Sequence, residues 1–215
     1  MSQAPSPSPS SPSAPRLRAA RGPGARDDVL VVAALAVEAV SVPAHLPLLL
    51  TGPGKTAAAT AVAAVLAARA PDRRPLVVGV GTAGALREGV GGLHVPGRVL
   101  HHDISAAALA QVGAPTRTEL ELDGLPGAPA GDVVLAAGDV FVSDAVVRDR
   151  LAQRAHLVDM EGFAVAWASR SLGARVVLAK HVSDGADDSA WDWADAVGAS
   201  AQALGEWLAE HLPPG

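Results

Sequence analysis

The chain contains no cysteine and no tyrosine, and aromatic residues make up only 3% of its 215 positions. Without cysteine there are no disulfides and no thiolate metal sites, a usage that fits a cytoplasmic protein. With so few rings, the core has to be assembled from Ala, Val and Leu. Positive charge is also short: 17 Lys and Arg against 22 Asp and Glu give a net charge of −5. That balance argues against nucleic acid as a partner, since nucleic acid demands clustered basic residues. No apolar run reaches the roughly 18–20 residues a membrane span needs, so no membrane is implied. The first 27 residues lack the apolar stretch of a secretory signal. What remains is the size and composition of one ordinary domain able to bury a full core.

Two regions differ in character. Residues 1–27 are rich in Pro, Ser and Ala with scattered Arg. Such a segment carries too little apolar surface to offset its ordering entropy, and reads as a disordered tail. Residues 28–215 then form the domain. Apolar strand-like runs at 29–37, 46–52, 75–84, 97–105, 132–138 and 175–184 alternate with helical patterns at 56–70, 144–155, 161–172 and 191–212. Unbroken apolar strands separated by helices indicate an α/β sandwich with a largely parallel sheet covered on both faces.

Carboxylates stand where these apolar runs end. The segment VDMEGF places Asp159 and Glu161 at a strand-to-helix junction, RVVLAKHVSD ends in Ser183-Asp184, and VLVVAALAV runs out at Glu38. Charged carboxylates beside a core are costly unless something binds them. Parallel sheets gather ligands at strand ends. Three such ends, each delivering an acid, outline an active site.

Other motifs point elsewhere and are weaker. TGPGKT (51–56) resembles a phosphate loop, but the required glycine five positions before Gly54 is Leu49, so a tight strand-to-helix turn is the better reading. Gly79, Gly81 and Gly84 match a dinucleotide fingerprint, yet they lie mid-chain and lead into more glycine instead of a clean helix. Backbone approach to a sugar or base, or a packing turn, explains them equally well. His101-His102-Asp103 suggests a metal site, but adjacent strand residues face opposite ways, and no metal is expected. Trp191, Trp193 and Trp207 read as packing.

Taken in order, the pieces resemble the nucleoside phosphorylase/nucleosidase superfamily, in particular its hydrolytic branch: 5′-methylthioadenosine/S-adenosylhomocysteine nucleosidases and futalosine hydrolases. The matching segments run from Ala34–Glu38 through Gly52–Lys55, Gly81–Gly84, His102-Asp103, Gly138–Phe141 and Asp159–Gly162 to Val182–Asp184. The resemblance implies a three-layer α/β/α sandwich around a central mixed, largely parallel sheet, and cleavage of a purine–ribose N-glycosidic bond through an oxocarbenium-like transition state, with no cofactor. It implies Asp184 as general acid toward the purine, Glu38 as general base toward water, and Glu161 as holder of the ribose hydroxyls. Phe141 and Val142 would contact the base, Met160 the ribose and Ser183 the acid, with Thr82, Ala83 and Gly84 lining the substrate. A homodimer is expected, the neighbour closing the 5′ end of the pocket. Phosphorylases of this group hold phosphate with arginines; here Val78, Gly79 and Val80 precede the loop, which favours water as nucleophile. Phosphorolysis and nucleoside binding without turnover are the competing readings. Lys180, where an arginine is expected in methylthioadenosine-cleaving relatives, leaves the substrate open.

Overall fold

The computed structural model describes residues 14–215. Among these described residues ten strands form one sheet: β1 (Arg16–Arg18), β2 (Val29–Ala33), β3 (Leu48–Leu50), β4 (Leu76–Ala85), β5 (Leu93–His94), β6 (Pro96–His101), β7 (Glu119–Glu121), β8 (Gly131–Ala137), β9 (Leu157–Asp159) and β10 (Val176–Asp184). Five helices accompany them: α1 (Lys55–Ala67), α2 (Ala106–Gln111), α3 (Ala145–Ala152), α4 (Gly162–Ser171) and α5 (Trp193–His211). The sheet is mixed. β2 runs parallel to β3 and β4, β4 to β10, and β8 to both β6 and β9, while β1, β5 and β7 are short antiparallel edge pieces.

Alternation along the strands sorts the core into layers. Leu30 and Val32 of β2, with Leu135 and Ala137 of β8, face α1 and α4. Val29 and Val31 meet Leu204, Trp207 and Leu208 of α5 on the opposite side. On that same side Val134 and Ala136 of β8 pack with Val147 and Leu151 of α3. Helices cover both faces, the arrangement expected from the sequence.

β4 organises the sheet. β10 runs along one edge from Val77 to Gly84. The other edge is divided: β2 occupies Leu76–Gly79, and β9 pairs antiparallel at Gly84 and Ala85. The gap between them opens a fork at the strand's C-terminal half.

The ordered part begins earlier than residue 28. β1 pairs antiparallel with β3, and the Arg18 guanidinium donates to the carbonyls of Val42 (3.2 Å), Pro43 (3.2 Å) and Leu46 (3.4 Å). Composition registers the missing apolar surface of this segment but not backbone pairing to a sheet edge, so the expected boundary is corrected to before Arg16. Residues 1–13 of the expected tail lie outside the described residues. Strand β2 is also shorter than its apolar run: the chain leaves the sheet after Ala33 and turns through a 3-10 segment, Ala36–Ala39.

Candidate active site

The fork in β4 leads into a cavity of about 200 Å³. The residues to which the family resemblance assigns a site role all line it: Glu38, Asp184 and Glu161, together with Met160, Phe141, Val142, Ser183, Thr82, Ala83 and Gly84. The three acids reach it from different segments. Glu38 comes from the 3-10 turn after β2, Glu161 from the junction between β9 and α4, and Asp184 from the end of β10.

Glu38 is 6% exposed and accepts three hydrogen bonds. Its Oε1 accepts from the Thr82 N–H and the Thr82 hydroxyl, both at 2.9 Å, and its Oε2 accepts from the Leu35 N–H at 3.2 Å. The Thr82 N–H is free to do so because it lies on the β4 edge between the β2 and β9 pairings. Gly81 matters here for lack of a side chain: a Cβ would stand 3.1 Å from Glu38 Oε1 and 3.3 Å from Lys180 Nζ. The same holds at Gly84, where a Cβ would come within 2.9 Å of Asp184 Oδ1 and 3.0 Å of Ala186 Cβ. Two of the three fingerprint-like glycines thus make room for acid side chains, while Gly79 makes room for Leu178, whose Cδ2 would lie 2.6 Å from an added Cβ. Asp184 is held by the Ser183 hydroxyl at 2.7 Å and the Ala186 N–H at 2.9 Å.

Glu161 accepts from the Gly54 N–H at 2.6 Å. Gly54 has φ +89°, a conformation that favours glycine, and it ends the Gly-Pro-Gly turn at the start of α1. The next N–H, of Lys55, donates to Asp139 Oδ1 at 2.7 Å. The turn that imitates a phosphate loop is a cradle for this protein's own carboxylates, in keeping with the preference of helix N-termini for negative charge. Burial and then the neighbouring Asp159 push the Glu161 carboxyl up to about 7, against the opposing pull of Lys180 and the Gly54 N–H.

A buried pair, Asp159 in the cavity lining and Lys180 behind it, completes this picture. Lys180 Nζ lies 2.8 Å from Asp159 Oδ2, and both side chains are almost wholly buried. Asp159 also accepts from the Gly162 N–H, through Oδ2 at 2.9 Å and Oδ1 at 3.1 Å. Burial alone would push the Lys180 ammonium down, but Asp159, Glu161 and Glu38 hold it above its ordinary value. Lys180 is therefore a buried counter-charge to a cluster of acids. Its sequence signal, a lysine inside an apolar strand, was visible; its partner was not.

The sequence reading of Trp193 as packing is incomplete. Its ring lines the cavity, and its Nε1–H donates to Thr82 Oγ1 at 2.9 Å. Leu35, Pro53, Val140 and Val158 add apolar wall. Phe141 is half exposed and meets Trp191 with ring centroids 5.5 Å apart. The two histidines point to different surroundings. His101 stacks on Phe163 at 4.7 Å and sits 2.6 Å from Lys55 Nζ, while His102 Nε2 is buried behind Gly138 without a partner among the described residues. No cationic side chain is among the described residues lining the cavity.

Residues 44–212 match the family described as the phosphorylase superfamily. A comparison with curated protein sequences finds no match. Solved structures are similar over most of their length. A Helicobacter pylori 5′-methylthioadenosine/S-adenosylhomocysteine nucleosidase has a TM-score of 0.73 at 19% identity, over 86% of this chain and 97% of that one. The Neisseria meningitidis nucleosidase of the same description gives 0.70 at 23%, over 86% and 100%. A Helicobacter pylori futalosine hydrolase gives 0.73 at 18%, over 86% and 96%. At such identities the likeness establishes the fold.

Proposed function

The chain belongs to the phosphorylase superfamily, and from that premise we propose that it is a purine nucleosidase, hydrolysing the N-glycosidic bond of a 5′-modified purine nucleoside. The observation that carries this reading is the meeting of Glu38, Glu161 and Asp184 around one cavity that also holds Phe141 and Met160.

In the proposed reaction, water attacks the anomeric carbon as the bond to the base breaks and its electron pair leaves with the base. Asp184 gives its proton to the departing purine, and Glu38 takes one from the water. The products are free base and a free sugar. Glu161 binds the ribose hydroxyls, and its negative charge favours the cationic sugar of the transition state. Two carboxyl groups flanking a glycosidic bond divide acid and base work as in sugar hydrolysis generally. Phe141 stacks on the base, Val142 reads its edge, and Met160 lies under the ribose. Thr82, Ala83 and Gly84 form the adjoining wall, and Ser183 supports the acid.

Water is preferred to phosphate because a bound dianion needs cationic or strongly donating partners, and the cavity lining offers no Lys or Arg. The apolar wall of Leu35, Pro53 and Val140 suits a thioether at the 5′ position, so methylthioadenosine and adenosylhomocysteine rank ahead of futalosine. The functional unit in this reading is a homodimer whose second copy closes the 5′ end.

The test is a panel of purine nucleosides incubated with the protein, with and without inorganic phosphate, and read by mass spectrometry. Free base at a rate indifferent to phosphate is expected. Ribose-1-phosphate derivatives would replace hydrolysis by phosphorolysis, and saturable binding without base release would leave a nucleoside sensor.

A further inference from the structure

Thr82 has a single hydroxyl proton, and two partners compete to define where it points. The Trp193 indole N–H can only donate, and it lies 2.9 Å from Thr82 Oγ1. Thr82 must therefore accept on that side, which leaves its one proton for Glu38 Oε1, 2.9 Å away. The Thr82 backbone N–H, also 2.9 Å from Oε1, cannot reverse its role. Two donors thus converge on the same carboxylate oxygen and fill its lone pairs in the plane of the group. Oε2 keeps one lone pair beside the longer 3.2 Å bond from the Leu35 N–H.

We propose that Trp193 is a positioning residue for the nucleosidase reaction: through Thr82 it locks Glu38 as a proton acceptor and leaves Oε2 as the atom that deprotonates water. The inference rests on the functional reading above and adds a residue to it. Trp193 is the first residue of α5, directly after the 3-10 turn Asp188–Asp192. The base on one side of the cavity is thereby tied to the segment that follows the acid, Asp184. Without the indole N–H, the Thr82 hydroxyl is free to rotate toward water or substrate, and Glu38 loses one of the bonds that aim it.

A double-mutant cycle separates this role from wall packing. Trp193→Phe keeps a ring and removes the donor; Thr82→Val removes the relay. Trp193→Phe is expected to lower kcat by about three- to tenfold, the usual worth of one hydrogen bond, with KM changed by less than about twofold. In the Thr82→Val background it should lower kcat no further, because the relay is already broken. Thr82→Ser keeps the hydroxyl, and in that background the full loss should reappear, which keeps the test decisive if Thr82→Val is unstable. An unchanged kcat in Trp193→Phe, losses that multiply in the double variant, or an effect confined to KM would each overturn the proposal while leaving the nucleosidase reading intact. Failure of the unmutated protein to release base from any nucleoside would instead overturn that reading and this inference with it.

Discussion

Lys180 Nζ sits 2.8 Å from Asp159 Oδ2 with both side chains buried, at 5% and 2% exposure. A buried pair of this kind gains little over an apolar pair of similar shape, but losing one member strands the other charge. Lys180→Met should therefore cost about 3–5 kcal/mol in urea unfolding. Adding Asp159→Asn to that variant should recover part of the loss, because neither charge then remains. If the single variant is as stable as the parent, the pair does not hold this floor of the site together.

Glu161 carries an opposite liability. Its carboxyl stands at about 7 in the folded protein, against an ordinary 4.5, chiefly through burial and then Asp159. Between those values the folded protein holds a proton that the unfolded chain has released. Stability should consequently fall as pH rises from about 4.5 to 7, the loss being complete above that window. Glu161→Gln removes the titration. Its stability relative to the parent should be near zero at pH 4.5 and reach about 3 kcal/mol in its favour at pH 8. Turnover should fall in the same variant, and in the parent it should rise with pH through about 7 as Glu161 ionises. Denaturant curves at the two pH values, with base-release rates alongside, check both.

Glu38→Gln and Asp184→Asn each remove a group proposed to transfer a proton while keeping its shape. Each is expected to reduce base release by at least about 100-fold, the lower end of general acid–base contributions. Thermal melts should move little for Asp184→Asn, whose carboxylate is only partly buried. Parent-like turnover in either variant would remove that residue from its proposed role.

Gly84→Ala tests the crowding beside the acid. The added Cβ would lie 2.9 Å from Asp184 Oδ1 and 3.0 Å from Ala186 Cβ, so the carboxylate must shift. Positioning errors of about 1 Å cost on the order of 100-fold. A drop in kcat far exceeding any change in substrate affinity is expected, measured by steady-state kinetics and equilibrium binding.

The strands and acids were legible in the sequence because both write local signals. Continuous apolar runs mark buried parallel strands, and a carboxylate at the end of each run stands out against them. Glu161 was visible for that reason, and so was Asp184. Edge strands β1, β5 and β7 span only two or three residues each, too few for any periodicity. Trp193 reads as packing in the sequence because its meaning lies in a hydrogen bond to Thr82, 111 positions away in the chain. Lys180 and Asp159 meet through the same kind of long-range geometry. The Gly-Pro-Gly turn shows the converse case: a familiar pattern whose backbone donors serve Glu161 and Asp139.

The divided edge of β4 also bears on how a bound molecule would act on folding. The walls of the recess come from segments around positions 38, 82, 161 and 184, and they meet only when β2, β9 and β10 have all docked on that one strand. A chain with either half of the edge undocked has no recess to fill. Occupancy is thus coupled to complete unfolding and not to local fraying, so a saturating nucleoside should slow amide exchange across the whole central sheet together.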